Sequence, residues 1–319
     1  VAAGCNGDRV TGLFGTSGRM HHLLTLEHMP RAMLEHLLVR AQDLAADAEG
    51  GVARRHVLAG KAVCTLFFEP STRTRSSFSL AAQRLGADLL NFDASTASTT
   101  KGEADLDTLK TLEAMGVHAF VVRHKRDGAV AELAAAANPG TVLLNAGDGR
   151  SNHPTQGLLD MLTLRQAKGE DFAKLRIVIV GDVKHSRVAR SDLHALRALG
   201  CGEIRVCGPA ALLPEDGTLD GCVVSHDFDA AIEGVDAAMM LRLQRERMAE
   251  GLVASLEDYH RDFGLDAARL RRAAPEAIVM HPGPMNRGIE ITDEVADGPQ
   301  SRVLRQVANG VAVRMAVLE

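Results

Sequence analysis

Apolar and polar residues follow two different periods along the chain, and these periods separate helical from extended segments. From residue 29 to residue 49 the apolar side chains recur every three or four positions, as on one face of a helix. The uninterrupted apolar run from 62 to 68 is typical of a buried strand. Residues 71 to 85 return to the helical period, and Gly86 is placed to end that helix. The inward-facing residues predicted for the two helices are Leu34, Leu37, Leu38 and Ala41, then Phe78, Ala81, Ala82 and Leu85.

Strand-like and helical segments alternate to the end of the chain. This order predicts an α/β fold with two domains, each a parallel sheet flanked by helices, joined by a bridging helix that runs from 153 to about 167. We predict a flexible extension at 1–19, a first domain at 20–152, a second at 153–294, and a C-terminal segment at 295–319 whose helix packs back on the first domain. The further strands are predicted at 87–92, 118–122, 141–145, 176–180, 203–207, 221–224, 237–243 and 277–280, and the last helix at 301–318.

Composition limits the classes of protein to which the chain can belong. Its 319 residues, 46% hydrophobic and 24% charged, match a folded globular protein. Apolar runs stay below the roughly 18 residues of a membrane span, and a secretory signal is lacking, so we expect a cytoplasmic protein that binds no membrane. The net charge of -5 argues against a nucleic-acid partner. Five cysteines lack metal-ligand spacing, and we expect them to be reduced.

The residues from 67 to 75 place a helix start directly after a strand. The free backbone N–H groups and the dipole of a helix N-terminus favour an anion, and arginine adds a bidentate donor. The segment Ser71–Arg75 reads Ser-Thr-Arg-Thr-Arg and contains no acid. A simple helix cap with solvated arginines is the alternative, but the concentration of hydroxyl and guanidinium groups favours a phosphate site.

This same segment resembles the Ser-x-Arg-Thr-Arg signature of the aspartate/ornithine carbamoyltransferases, within a longer match from 67 to 88. In that family the segment holds the phosphate of carbamoyl phosphate. The resemblance therefore implies that Ser71, Thr72, Arg73 and Thr74 bind this substrate. The signature is specific for the family, but it does not identify the amino acid that receives the carbamoyl group.

Two further segments are placed to contact the carbamoyl group. Arg123 lies at the end of a predicted strand, where open parallel sheets bind ligands, although most arginines there are surface charges. Pro154 predicts a helix start with His153 at its cap and Gln156 one turn in. Both side chains could donate hydrogen bonds to a carbonyl oxygen that becomes negative as an amine attacks, whereas a lone histidine there would be only a cap. The resemblance implies that Arg123, His153 and Gln156 bind the carbamoyl group.

The stretch from 95 to 103 is rich in serine and threonine, which alone indicates a mobile loop. Its Lys-Gly-Glu ending resembles the loop with which aspartate members of the family reach into a neighbouring subunit. The resemblance implies that Lys101 is catalytic and binds aspartate. It implies a carbamoyl phosphate contact for Ser98, although the loop has several hydroxyl groups. It also implies a homo-oligomer, a trimer with shared active sites.

The second half of the chain is expected to bind the amino acid. Residues 175 to 182 look like the first strand of a dinucleotide-binding fold, but no Gly-x-Gly-x-x-Gly follows, and we expect no nicotinamide cofactor. The resemblance implies that Arg187, Arg242 and Gln244 bind aspartate. Two guanidinium groups suit a dicarboxylic amino acid.

Residues 280 to 288 separate the two branches of the family. Ornithine members carry His-Cys-Leu-Pro here, and the cysteine serves the ornithine side chain; this chain has Pro282 after His281. The resemblance therefore implies aspartate as the acceptor, with Gly283 and Pro284 among its binders. Gly283 departs from the leucine or alanine of many members, which leaves a backbone role open.

These observations together predict a transferase with neither a metal nor an organic cofactor. Its expected catalytic residues are Thr74, Arg123, His153 and Lys101. The resemblance implies pyrimidine biosynthesis, and the sequence leaves open whether a regulatory chain or a dihydroorotase associates. Two alternatives remain: a carbamoyltransferase for another amino acid, and an inactive family member that acts as a scaffold.

Overall fold

The computed structural model describes residues 22–49, 55–93, 104–243 and 255–319, which form two compact units. The first unit contains the described residues up to Thr155 together with Gly310–Glu319, and the second contains Gln156–Asn309. From the sequence we placed the domain boundaries after residues 152 and 294. In the structure the boundaries between the units follow Thr155 and Asn309, and both lie inside helices, where the apolar period continues without a break.

The first unit is built on a parallel sheet with the strand order β2-β1-β3-β4. Its buried core includes Cys64 and Leu66 of the central strand β1 and Phe120 and Val122 of β3. The strands are β1 (Ala62–Phe67), β2 (Asp88–Asp93), β3 (Val117–His124) and β4 (Val142–Asp148). The helices are α1 (Arg31–Glu49), α2 (Thr72–Arg84), α3 (Asp105–Ala114) and α4 (Ala129–Ala136), and α5 (Pro154–Lys168) begins in this unit.

The second unit has a second parallel sheet, with the order β7-β6-β5-β8-β9. Val178 and Val180 of β5 and Ala238 and Met240 of β8 lie in its core. The strands are β5 (Arg176–Val180), β6 (Glu203–Cys207), β7 (Val223–Ser225), β8 (Ala237–Met240) and β9 (Ile278–Met280). The helices are α6 (Arg187–Leu199), α7 (Phe228–Ala231), α8 (Leu256–Phe263), α9 (Ala267–Leu270), α10 (Asp293–Ala296) and α11 (Val303–Leu318), the last of which crosses the unit boundary.

The predicted fold class is confirmed, and the predicted helix stripes of α1 and α2 are buried. Strands β5 and β6 have the predicted bounds. The other predicted strands differ from the observed ones by one to three residues at an end, and two of them show why. Gly221 lies before β7 with φ +77°, a turn conformation that a strand excludes. Strand β8 ends at Met240 rather than Leu243, although the Leu241 N–H still donates to Val180 O at 2.8 Å.

Among the described helices, none has both the length and the apolar character of a membrane span. Four cysteines fall in the described ranges and are free thiols: Cys64, Cys201, Cys207 and Cys222. Cys64 lies in the first sheet and Cys207 in the second, and burial raises the pKa of each thiol to about 12. Both residues are therefore inert core residues at neutral pH.

Candidate active site

Three neighbouring strands of the first sheet bring predicted site residues to one edge. Strands β1, β3 and β4 are adjacent and parallel, so their carboxyl ends meet at the same side of the sheet. Helix α2 starts after β1, Arg123 lies near the end of β3, and His153 follows β4. The structure thus brings together segments that lie far apart in the sequence.

The N-terminus of α2 has the features of an anion site. Ser71 occupies the cap position in an extended conformation (φ -160°, ψ 94°), and its side chain makes no capping hydrogen bond. The first turn contains no acidic residue; Thr72 and Arg73 are exposed, and Thr74 is buried. The first N–H groups of a helix have no acceptor within the helix. The alternative reading of Ser71 as a simple side-chain cap is therefore not supported.

Arg123 is buried beside this helix start and is held by a carboxylate. In the β1–β3 register Phe67 lies opposite Arg123, and the Phe68 N–H donates to Arg123 O at 2.8 Å. The guanidinium donates to Glu69 Oε1 from Nε at 3.1 Å and from Nη2 at 2.5 Å, and Nη1 donates to Ala146 O at 3.2 Å. A buried guanidinium requires such partners. Glu69 thus keeps a cation at the sheet edge.

The segment between β4 and α5 is fixed by the buried carboxylate of Asp148. Its Oδ1 accepts from Asn145 Nδ2 at 2.9 Å and from the Asn152 N–H at 3.1 Å. Gly149 turns the chain with φ +45°, and a Cβ there would lie 2.1 Å from a carboxylate oxygen of Asp127. These contacts determine where the chain enters α5.

His153 is the last residue before α5 and is only 4% exposed. The proline that follows it begins the helix, as predicted. Because Asn152 is tied to Asp148, the backbone position of His153 is set by the loop that precedes it. The imidazole is therefore presented by a fixed backbone, as a group that must stabilise a developing charge requires.

Gln156 lies in the first turn of α5, and its orientation is set by a buried acid. Its Nε2 donates to both carboxylate oxygens of Asp160, at 3.1 and 3.2 Å. A carboxylate accepts and does not donate, so the amide nitrogen must face Asp160 and the amide oxygen must face away. This orientation favours an acceptor role for Gln156, where the sequence had suggested a donor.

Three neighbouring strand ends carry the candidates of the second unit. Strands β5, β8 and β9 are adjacent, and Arg187, Arg242 and Gly283 follow them in that order. Arg187 is half-buried and is the first residue of α6, whose cap Ser186 accepts a hydrogen bond from the Ala189 N–H at 3.1 Å. Arg242 is exposed two residues beyond β8.

Buried hydrogen bonds hold the segment that contains Gly283 and Pro284. The Gly283 N–H donates to His281 Nδ1 at 2.8 Å, so His281 Nε2 carries the proton that is donated to Glu290 Oε1 at 3.2 Å. The Asn286 side chain donates to Leu243 O at 2.8 Å, next to Arg242. Gly283 has φ +64°, a conformation that favours glycine.

Three predicted site residues lie outside the described residues: Ser98, Lys101 and Gln244. The sequence reasoning missed two others, Asp148 and Asp160. Each is an acid within an apolar, buried stretch, and that contrast is a signal that could have identified them. Within the ranges that the structure describes, no group of three or more His, Cys, Asp or Glu residues could hold a metal ion.

Comparisons with known proteins agree with this arrangement. The family model "Aspartate/ornithine carbamoyltransferase, carbamoyl-P binding domain" matches residues 21–166, and its "Asp/Orn binding domain" counterpart matches 173–319. The chain is 75% identical over 304 residues to the aspartate carbamoyltransferase catalytic subunit of Xanthomonas campestris pv. campestris, covering 95% of this chain and 96% of that protein. The catalytic subunit of Stenotrophomonas maltophilia is 74% identical over the same shares.

Solved structures with lower sequence identity give the same result. Aspartate transcarbamoylase from Trypanosoma cruzi in complex with carbamoyl phosphate has 33% identity and a TM-score of 0.83, with 97% of each chain covered. Ornithine carbamoyltransferase from Thermus thermophilus has 29% identity and a TM-score of 0.82, covering 93% of this chain and 97% of that one. The fold alone thus does not separate the two branches. The match of two family models across most of the sequence, with 75% identity to curated relatives, shows that this chain belongs to the aspartate/ornithine carbamoyltransferase family.

Proposed function

We propose that the chain is an enzyme that transfers the carbamoyl group of carbamoyl phosphate to the amine of L-aspartate. The products are N-carbamoyl-L-aspartate and phosphate. The observation that carries this proposal is the acid-free, uncapped N-terminus of α2 on the same sheet edge as Arg123. High identity to relatives named aspartate carbamoyltransferase catalytic subunit supports the choice of reaction.

The phosphate binds at the N-terminus of α2. The backbone N–H groups of this turn, the hydroxyls of Ser71, Thr72 and Thr74, and the guanidinium of Arg73 supply donors to its oxygens. The helix dipole adds to this attraction, because the first turn has no acid to compete with the ligand. Phosphate is also the leaving group, so the same donors stabilise the charge that grows on it during transfer.

The carbamoyl group binds next to Arg123, His153 and Gln156. Arg123 and His153, with Thr74, stabilise the oxygen that becomes negative when the amine attacks the carbamoyl carbon. The outward amide oxygen of Gln156 accepts a hydrogen bond from the carbamoyl NH₂ group. No covalent intermediate is needed, since orientation and charge stabilisation suffice for this reaction.

Aspartate binds to residues of the second unit. Arg187 and Arg242 pair with its carboxylates, which guanidinium groups recognise in a bidentate manner. Gly283 and Pro284 contribute backbone groups. Lys101 and Gln244 complete this set, and Ser98 the carbamoyl phosphate set, from outside the described residues.

The proposal is tested with purified protein, carbamoyl phosphate and an amino acid. We expect carbamoyl-aspartate from L-aspartate and no product from L-ornithine, because Pro282 replaces the cysteine expected of ornithine members. Turnover of ornithine would indicate the other branch of the family. A lack of product with either amino acid would support an inactive scaffold instead.

The reaction belongs to pyrimidine biosynthesis leading to UMP, and we place the enzyme in the cytoplasm as a homotrimer with shared active sites. Regulatory chains or a dihydroorotase are candidate partners. Mixing inactive Lys101→Ala and His153→Ala proteins tests the shared site, because a hybrid oligomer would contain one intact site built from two subunits. We expect partial recovery of activity in the mixture; mixtures that stay inactive after subunit exchange would contradict it.

A further inference from the structure

A buried carboxylate lies where α5, α6 and α11 meet in the second unit. Asp160, on α5, is 0% exposed. It accepts hydrogen bonds from Gln156 Nε2 at 3.1 and 3.2 Å and from Gln306 Nε2, on α11, at 2.7 Å. Both partners are neutral amides.

A second carboxyl group lies against the first. Asp192, on α6, is also 0% exposed, and no donor among the described residues reaches either of its carboxyl oxygens. Burial and the nearby negative charge of Asp160 raise the pKa of Asp192 well above its ordinary value.

The number of donors explains why an acid occupies this position. A carboxylate has two oxygens with about four lone-pair sites and no hydrogen to donate. Asp160 can therefore accept from Gln156 and Gln306 at once. An asparagine would place an NH₂ group against one of these donors.

The contact with Gln306 extends this arrangement to the loop proposed to bind aspartate. The Oε1 atom of Gln306 accepts from the His281 N–H at 2.9 Å. Its Nε2 faces Asp160, so the same carboxylate determines which end of this amide meets the loop. His281 is two residues before Gly283.

We propose that Asp160 is a positioning residue that orients the amide of Gln156 toward the carbamoyl group and, through Gln306, fixes the backbone at His281. The inference rests on the proposed function, because it assigns Gln156 to carbamoyl phosphate. Asp160 itself touches no substrate. Its effect is to keep the amide oxygen of Gln156, rather than its nitrogen, facing the NH₂ group of the substrate.

The test is the KM for each substrate in Asp160→Asn, Asp192→Asn and Gln306→Met. In Asp160→Asn the Gln156 Nε2 no longer faces two acceptor oxygens, so the orientation of this amide is no longer determined. We expect the KM for carbamoyl phosphate to rise about tenfold, the effect of losing one hydrogen bond to the neutral NH₂ group of the substrate, with a smaller change in kcat. Asp192→Asn leaves both amide contacts of Asp160 in place, so its KM for carbamoyl phosphate is expected to stay within about twofold of wild type. Gln306→Met is expected to raise the KM for aspartate and to leave that for carbamoyl phosphate unchanged.

Thr163→Val is the matched control. Thr163 lies one turn further along α5 and accepts from Asn309 Nδ2, on α11, at 2.9 Å, so the substitution removes a buried polar contact between the same two helices without touching Asp160. We expect both KM values to stay within about twofold. Thermal melting confirms that each variant is folded; if Asp160→Asn does not fold, the substrate selectivity of Gln306→Met decides the outcome.

Three results would overturn the positioning role while wild type remains active. The first is a KM for carbamoyl phosphate in Asp160→Asn equal to that in Thr163→Val, and the second is a tenfold rise of this KM in Asp192→Asn. The third is an equal change in the two KM values in Gln306→Met. Wild-type protein that makes no carbamoyl-aspartate would instead contradict the proposed function. The two failures are therefore distinguishable.

Discussion

The charged candidate residues of the two sheet edges differ in burial and in their partners. At the first edge Arg123 is buried and paired directly with Glu69, at 3.1 and 2.5 Å. At the second edge Arg187 is half-buried and Arg242 is exposed. A buried carboxylate of the same unit, Asp160, accepts hydrogen bonds from two neutral amides.

The difference reflects what each edge is proposed to bind. A buried guanidinium paired with a carboxylate can also bind an anion that competes with that carboxylate. This arrangement suits phosphate and a developing oxyanion. Neutral amide donors around a buried carboxylate have fixed directions, which suits the orientation of an amide group. Changes at the first edge should therefore affect the chemical step, and changes in the second unit should affect affinity or stability.

The largest effect is expected for Arg123→Ala. Removing a donor to the developing oxyanion lowers kcat by about 10² to 10³-fold. The matched control is Arg126→Ala, since Arg126 pairs with Glu132 at 2.6 Å and its side chain is exposed. Steady-state rates of both variants test the prediction. Equal rates in the two variants would mean that the first edge does not carry the chemistry.

A smaller effect is expected for Arg187→Ala in the second unit. Loss of one charge-assisted contact raises the KM for aspartate about 10- to 100-fold and leaves binding of carbamoyl phosphate unchanged. Arg190→Ala is the control on the same helix, because Arg190 bonds Thr218 at 2.7 Å and Asp216 at 3.2 Å. A rise in the KM for carbamoyl phosphate instead of aspartate would remove the functional contrast between the two edges.

The raised pKa of Asp192 predicts a pH dependence of stability. Burial and the charge of Asp160 raise the pKa of Asp192 in the folded protein, whereas in the unfolded chain Asp ionises near pH 4. Its contribution is thus fully present below about pH 4 and decreases as pH rises, by at most about 1.4 kcal/mol per pH unit, until the folded pKa is passed. Asp192→Asn removes this loss, so the unfolding free energy of the variant should gain on wild type between about pH 5 and 7.

Urea unfolding at several pH values measures this difference. Asp216→Asn is the control, because hydrogen bonds from Thr218 lower the pKa of Asp216 to about 2, burial opposing them. The stability that Asp216 contributes is present above about pH 4 and is lost as pH falls toward 2, so its difference from wild type should be flat from about pH 5 to 7. A flat difference for Asp192→Asn as well would show that the pKa of Asp192 is not raised in the folded protein.

The smallest effect is expected for alkylation of the two buried thiols, Cys64 and Cys207. The two units should show the same low reactivity. Burial raises the pKa of Cys64 and of Cys207 to about 12, so little thiolate is present in either sheet at pH 8. We expect iodoacetamide to leave both unmodified in the folded protein, as measured by mass spectrometry of peptides. Half-buried Cys222 is the internal reference and should react faster. Earlier labelling of either core thiol as urea rises would show that one unit opens first.

The sequence by itself determined the elements and the chemistry that depend on neighbouring residues. The βαβ order, the bounds of β5 and β6, and the uncapped start of α2 follow from local patterns, because period, helix starts and hydroxyl-rich turns act over a few residues. The Ser71–Arg75 segment is informative for the same reason. Its donors come from consecutive residues, so one stretch of sequence contains most of the anion site.

The tertiary structure decided the contacts between residues far apart in the chain. Arg123 meets Glu69 across 54 positions, and Gln306 meets Asp160 across 146. Such pairs leave no periodic signal, because each partner is specified by the path of the chain and not by its neighbours. The direction of the Gln156 amide is the clearest case: the sequence supplied the residue, and only a buried carboxylate could determine which of its two ends faces the substrate.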